Sequence, residues 1–178
     1  MMTHDELVVV ARQWLLRPWQ NARHFGHGKC SVIITDMTSS AWEIPDAIGW
    51  YHGRSTLVEC KASIDDFKKD AYKPFRQYTD RGMGDYRLFM APKGLLEVEK
   101  LPDKWGLIEV NAQGRTRVKH FPEKLEANKR AEVSMLTSLL CRLDVNPGPH
   151  VRINRYTVGE NDGEPRATFA IQSEEEDV

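Results

Sequence analysis

The chain has 178 residues, 40% hydrophobic and 29% charged, with a formal net charge of −1. That suits one soluble α/β-sized domain with a short extension, and it excludes a strongly basic or acidic body. No apolar run approaches the roughly 18 residues of a membrane span, and acids precede the first apolar stretch, so neither an anchor nor a secretory leader is expected. Cys30, Cys60 and Cys141 are scattered and odd in number. They make no disulfide framework or metal-spacing motif, and a reducing cytoplasm is the expected setting.

Thr3 to Leu16 reads as a helix, because Leu7, Val8, Ala11, Trp14 and Leu15 recur at three- and four-residue spacing. Thr3 suits its N-cap and Glu6 the capping-box partner. Residues 20–29 read as a loop. His24 and His27 within it lack cysteine partners, which makes a loop the better reading than a zinc pair. Cys30 to Thr35 is a strand and residues 36–42 a turn. Ile44 to His52 and Ser55 to Ala62 form two strands joined at Gly53, a hairpin signal. Ile64 to about Tyr72 is helical, and Pro74 breaks or restarts it. Tyr86 to Ala91 and Trp105 to Asn111 are strands, and Arg115 to His120 pairs with the second. Glu123 to Leu143 reads as a long helix with Leu125, Val133, Leu136, Leu139, Leu140 and Leu143 on its apolar side. Pro147-Gly148-Pro149 closes the compact part, dividing the chain into a domain at 1–146 and an extension at 147–178. Val151 to Val158 and Ala167 to Gln172 suggest a late hairpin before an acidic tail. Residues 160–178 carry seven acids and one base, which leaves residues 1–159 at +5. A mildly basic body suits a phosphate-binding face, and the tail reads as a solubilising segment.

The expected fold is therefore α/β, with a mixed central sheet flanked by helices. Its chemistry centres on Leu57-Val58-Glu59-Cys60-Lys61-Ala62. Strand period is two, so Glu59 and Lys61 share a face, where two charges must pair or bind something. The preceding strand brings Asp46 to the same end of the hairpin. Asp46 and Glu59 suit a hard divalent cation, with the main-chain carbonyl of Cys60 as a further ligand. Lys61 is placed to orient a water or stabilise charge on phosphorus. The alternative is a buried Glu59–Lys61 ion pair.

Pro45-Asp46 followed by Glu59-Cys60-Lys61 resembles the PD-(D/E)XK nuclease superfamily, with the order helix, three strands, helix, strand over residues 3–110. The resemblance implies a restriction-endonuclease-like core, Mg²⁺ or Mn²⁺ as cofactor, DNA as partner and catalysis by Asp46, Glu59 and Lys61. Lys73-Pro74-Phe75-Arg76-Gln77-Tyr78 is similar to small nucleases of phages and prophages. Glu6, Glu43, Ser63 and Gln77 are additional candidates. Glu6 also reads as a helix-capping residue and Ser63 as an N-cap, while Arg81 stands where relatives carrying the Gln77 position have tyrosine. Lys68, Lys69, Lys73 and Arg76 are the expected DNA contacts. A homodimer would suit cutting of both strands. The competing expectation is a DNA-binding module on the same fold without turnover.

Overall fold

The computed structural model describes residues 2–17, 29–39 and 41–143, with the backbones of 155–158 and 165–168. His24, His27, the Gln77 side chain and the acidic run 174–177 lie outside the described residues. The chain forms two compact units, residues 1–135 and 136–178. In the second, β7 (Arg155–Val158) pairs antiparallel with β8 (Pro165–Thr168), a hairpin whose second strand begins two residues before the expected Ala167. We number all elements in chain order below.

Helix α1 (His4–Leu16) starts as its sequence requires. The Thr3 hydroxyl accepts the Glu6 N–H at 3.3 Å, and the Glu6 carboxylate accepts the Thr3 N–H at 2.7 Å. Two of the helix's orphan donors are thereby satisfied, a cap worth about 1 kcal/mol. Its apolar stripe, Leu7, Val8, Ala11, Trp14 and Leu15, packs on Ala47, Val58, Cys60, Leu88, Met90 and Ile108 from the sheet.

The sheet has six strands in the order β1 to β6: Val32–Thr35, Ala47–Tyr51, Arg54–Cys60, Tyr86–Pro92, Gly106–Val110 and Thr116–His120. β1, β2 and β3 run antiparallel, β3, β4 and β5 run parallel, and β6 returns antiparallel. The β2–β3 turn is the expected hairpin. His52 and Gly53 both have positive φ, 47° and 75°, as a two-residue turn matching strand twist demands. The β3-to-β4 crossover carries α2 (Ile64–Asp70) and the single turn α3 (Pro74–Gln77). Because Val58 and Cys60 point to α1, Glu59 faces the opposite layer, where Lys73, at the start of α3, and Arg76, within it, are its partners. Among the described residues no helix is long and apolar enough to cross a membrane.

Helix α4 spans Lys129–Arg142 and so begins six residues later than its periodicity predicts. The segment before it uses its N–H groups elsewhere. Glu123 donates to Lys104 C=O, Leu125 to Asp85 C=O and Asn128 to Gly82 C=O. The Asn128 side chain then accepts the Ala131 N–H at 3.0 Å, opening the helix. Leu125 is buried but lies outside the helix, whereas Val133 and Leu140 are exposed. Within the first unit α4 buries Met135 and Glu132, whose carboxylate accepts Ser55 Oγ at 2.7 Å, Gly84 N–H at 2.9 Å, Trp50 Nε1 at 3.1 Å and Lys129 Nζ at 3.1 Å.

Gly84 is the tightest point of this junction. Its φ is +88°, and a Cβ there would meet Leu57 Cβ at 2.7 Å. Gly84→Ala is expected to destabilise the fold by about 2–4 kcal/mol, combining left-handed strain with overpacking. Thermal melts check this, with a Tm loss on the order of 5–15 °C. A shift under a degree would mean that Leu57 yields freely.

Candidate active site

Three adjacent strand ends converge on one edge of the sheet. Thr35 pairs with Ala47, and Ala47 with Val58. Asp36 follows Thr35, leaving the strand with φ 49°, while Asp46 precedes Ala47 and Glu59 follows Val58. A carboxylate thus ends, or nearly ends, each of β1, β2 and β3. Asp46 is fixed by its Oδ2, which accepts the Cys60 N–H at 2.6 Å. Its Oδ1 lies 3.5 Å from His4 Nε2 at the start of α1. One ligand atom from each of His4, Asp36 and Asp46 lies within 4.8 Å of the others. Burial pushes the Asp46 carboxyl up to about 6, and the nearby charge of Glu59 adds to the rise.

Glu59 and Lys61 lie on the inner side of this edge, 1% and 3% exposed. Lys61 Nζ sits 3.3 Å from Glu59 Oε2 and 3.2 Å from Asp70 Oδ1. Its main-chain N–H donates to Met90 C=O at 2.9 Å, continuing the β3–β4 ladder and fixing the side chain's direction. Burial opposes the ammonium charge, but Glu59, Asp70 and Asp46 outweigh it and the pKa rises. Lys61 is therefore a permanent cation, suited to donating hydrogen bonds and unsuited to accepting a proton.

A network of charges closes behind the pair. Arg76 donates from Nη1 to Glu43 Oε1 at 2.8 Å and from Nε to Asp70 Oδ2 at 2.5 Å. Its Nη2 lies 3.1 Å from Glu59 Oε1, but without hydrogen-bond alignment, so that buried oxygen has an electrostatic neighbour and no hydrogen-bond donor. The guanidinium also stacks 4.5 Å from the Trp105 ring. Lys73 Nζ, 40% exposed at the side chain, reaches Asp70 at 2.8 Å and Glu59 at 3.7 Å. It covers the outer approach to Glu59.

The predicted site residues therefore separate. Asp46, Glu59 and Lys61 share one edge. Glu43 lies in the Arg76 network, where its second oxygen accepts the Met83 N–H at 2.6 Å. Glu6 serves the α1 cap, and Ser63 caps α2 by accepting the Asp66 N–H at 3.2 Å. The Cys60 thiol belongs to the α1-facing core, and burial raises its pKa well above the usual range. Lys68 and Lys69 are exposed and free to meet phosphate. Arg76 is a correction to the expected DNA contacts: it is 8% exposed and engaged by three carboxylates. Sequence reasoning missed His4, Asp36 and Asp70. For Asp36 the signal was the antiparallel register, which puts the residue after Thr35 beside the residue before Ala47.

The donor set can be tested against a divalent cation. His4, Asp36 and Asp46 form the cluster whose ligand atoms could meet one cation, and two carboxylates with an imidazole suit Mn²⁺ better than Mg²⁺, while Glu59 lies outside that cluster and faces Lys61, Lys73 and Arg76. The rise of the Asp46 pKa, through burial and the charge of Glu59, is in keeping with that donor set.

No family model and no curated protein matches the chain. A solved structure described as the SPO1766 protein of unknown function from Silicibacter pomeroyi is similar at 23% identity and TM-score 0.47, over 62% of this chain and 75% of that one.

Proposed function

We propose that this chain is a metal-dependent deoxyribonuclease with a restriction-endonuclease-like core, using Asp46, Glu59 and Lys61. The observation that carries the reading is the β2–β3 pairing, whose last pair Ala47–Val58 leaves Asp46 and Glu59 next along the two strands, with Lys61 two residues on and 3.3 Å from Glu59. The order α1, antiparallel β1–β2–β3, helical crossover and parallel β4 supports the core assignment.

Asp46 would hold the cation, with Asp36 and His4 beside it. When bound, a divalent cation polarises a phosphate oxygen and lowers the pKa of an attacking water. The protein's own groups do the rest. Lys61, kept charged by Glu59 and Asp70, donates to a non-bridging phosphate oxygen as negative charge builds there. Glu59 orients that amine through its Oε2. The Cys60 N–H fixes the Asp46 carboxylate through Oδ2, so its Oδ1 stays turned toward His4. Lys73 must swing off Glu59 to admit the phosphate, and its exposure allows this. Lys68 and Lys69 then meet the flanking backbone. A DNA substrate suits repair, recombination or phage DNA processing.

Incubation with linear, nicked and branched DNA in Mn²⁺ is the test. Wild type is expected to cut, and Lys61→Met and Glu59→Gln to lose about 10²-fold or more of the rate, comparable to removing one transition-state donor. DNA binding without cleavage by wild type in any divalent metal would sink the catalytic reading and favour an inert DNA-binding module.

A further inference from the structure

Beside the ion network a cavity of about 290 Å³ opens between α2 and the β4–β5 connection. Its floor is Phe89, which stacks on Trp105 with centroids 4.6 Å apart and meets Phe67 edge-on at 5.1 Å. Tyr72 stands at the mouth, 81% exposed. Lys68 and Lys100 are the bases at the rim. The inner wall is Asp70 and Arg76, the two side chains that hold Lys61 and Glu59 from behind.

This lining selects its occupant. A lone phosphate would leave the aromatic walls unused, and an apolar ligand would leave Lys68 unused; Lys100 pairs with Glu97 at 2.9 Å but is 64% exposed at the side chain and can turn to a phosphate. A flat heteroaromatic ring with anionic groups on either side uses the walls and both lysines. We propose that the pocket receives one unpaired nucleobase of the DNA strand, with its neighbouring phosphates on Lys68 and Lys100. The proposal rests on the nuclease reading and narrows the substrate to DNA carrying unpaired nucleotides beside the cut. A paired base is unavailable to such a pocket unless it is flipped, which costs a few kcal/mol, so a frayed end, flap or gap binds with least penalty. Aromatic stacking accepts any base, and the site therefore sets substrate structure and leaves sequence open.

The test measures fluorescence anisotropy of a labelled oligothymidylate and of an abasic strand of equal length and charge, in EDTA so that nothing is cut. Wild type is expected to bind the base-bearing strand at least about 5-fold more tightly. Tyr72→Ala, which removes an exposed wall, and Ala71→Leu, which fills the cavity from an exposed position, should each bring that ratio near one without weakening abasic binding. Circular dichroism confirms that both fold. Equal binding of the two strands by wild type overturns the pocket, and so does a ratio that survives both variants; the nuclease reading stands in either case. Binding of no DNA, single-stranded or duplex, overturns both.

Discussion

Arg76→Met is expected to cost the first unit about 3–5 kcal/mol of stability, as breaking a buried ion pair does. Native domains have only about 5–15 kcal/mol in total. The reason is arithmetic of charge. Glu43, Glu59 and Asp70 are 3%, 1% and 2% exposed, and one guanidinium serves all three. Methionine matches the stem's volume but supplies no donor. Lys61 and Lys73 still cover Glu59 and Asp70, so the charge left most isolated is Glu43, which keeps the Met83 N–H and the charge interaction with buried Arg87. Burial already raises the Glu43 pKa in the intact protein, with Arg76 opposing the rise. Without Arg76 the carboxyl takes up a proton, and the deficit therefore narrows at acid pH. Urea melts at neutral pH and near pH 5 read this directly. A loss below about 1 kcal/mol would place Arg76 outside the core.

Asp70 sets the acid limit of the same network. Burial opposes its charge, but Arg76, Lys73 and Lys61 hold its carboxyl down at about 2, against an ordinary 3.8. A depressed carboxyl contributes stability that is present above the unfolded value. That stability disappears as pH falls from about 4 toward 2. Acid unfolding in this window is the expected signature of the network.

The sequence-level signals that survived are those of short range. The Thr3–Glu6 capping box, the turn at Gly53 and the two-residue period joining Glu59 to Lys61 depend on neighbours a few residues away. Each was legible because local chemistry alone decides it. Asp70 and Arg76 were not legible in the same way. Charged residues on a short helix usually line a solvated face, and only the crossover from β3 to β4 turns them inward onto Lys61. The onset of α4 failed for a related reason. Residues 123–128 have helical spacing, but Lys104, Asp85 and Gly82 offer their N–H groups carbonyls from outside the helix. Asp36 joined the edge only through the β1–β2 register, a pairing across a turn whose length gave no hairpin signature.

The edge itself can be interrogated by Asp46→Asn, which is expected to stop cleavage while making the metal-free protein more stable at neutral pH. Asn keeps an oxygen for the Cys60 N–H, so the strand end retains its hydrogen bond. What it removes is a charge that burial and Glu59 both oppose. The Asp46 carboxyl is raised from 3.8 to about 6, so between those values the folded state holds a proton that the unfolded chain has released. Stability therefore falls as pH rises through that window, and the full cost applies above it. Two pKa units correspond to roughly 3 kcal/mol, and partial solvent access reduces this to about 1–2. The Tm of metal-free wild type should drop from pH 4.5 to 7.5 relative to the variant, with the variant melting a few degrees higher at pH 7.5. Mn²⁺ should raise the wild-type Tm by mass action and leave the variant nearly unmoved. A structural aspartate behaves oppositely: its loss destabilises at every pH and leaves any metal response intact. A variant that melts below wild type at pH 7.5 would therefore assign Asp46 to the scaffold and remove the cation from this edge.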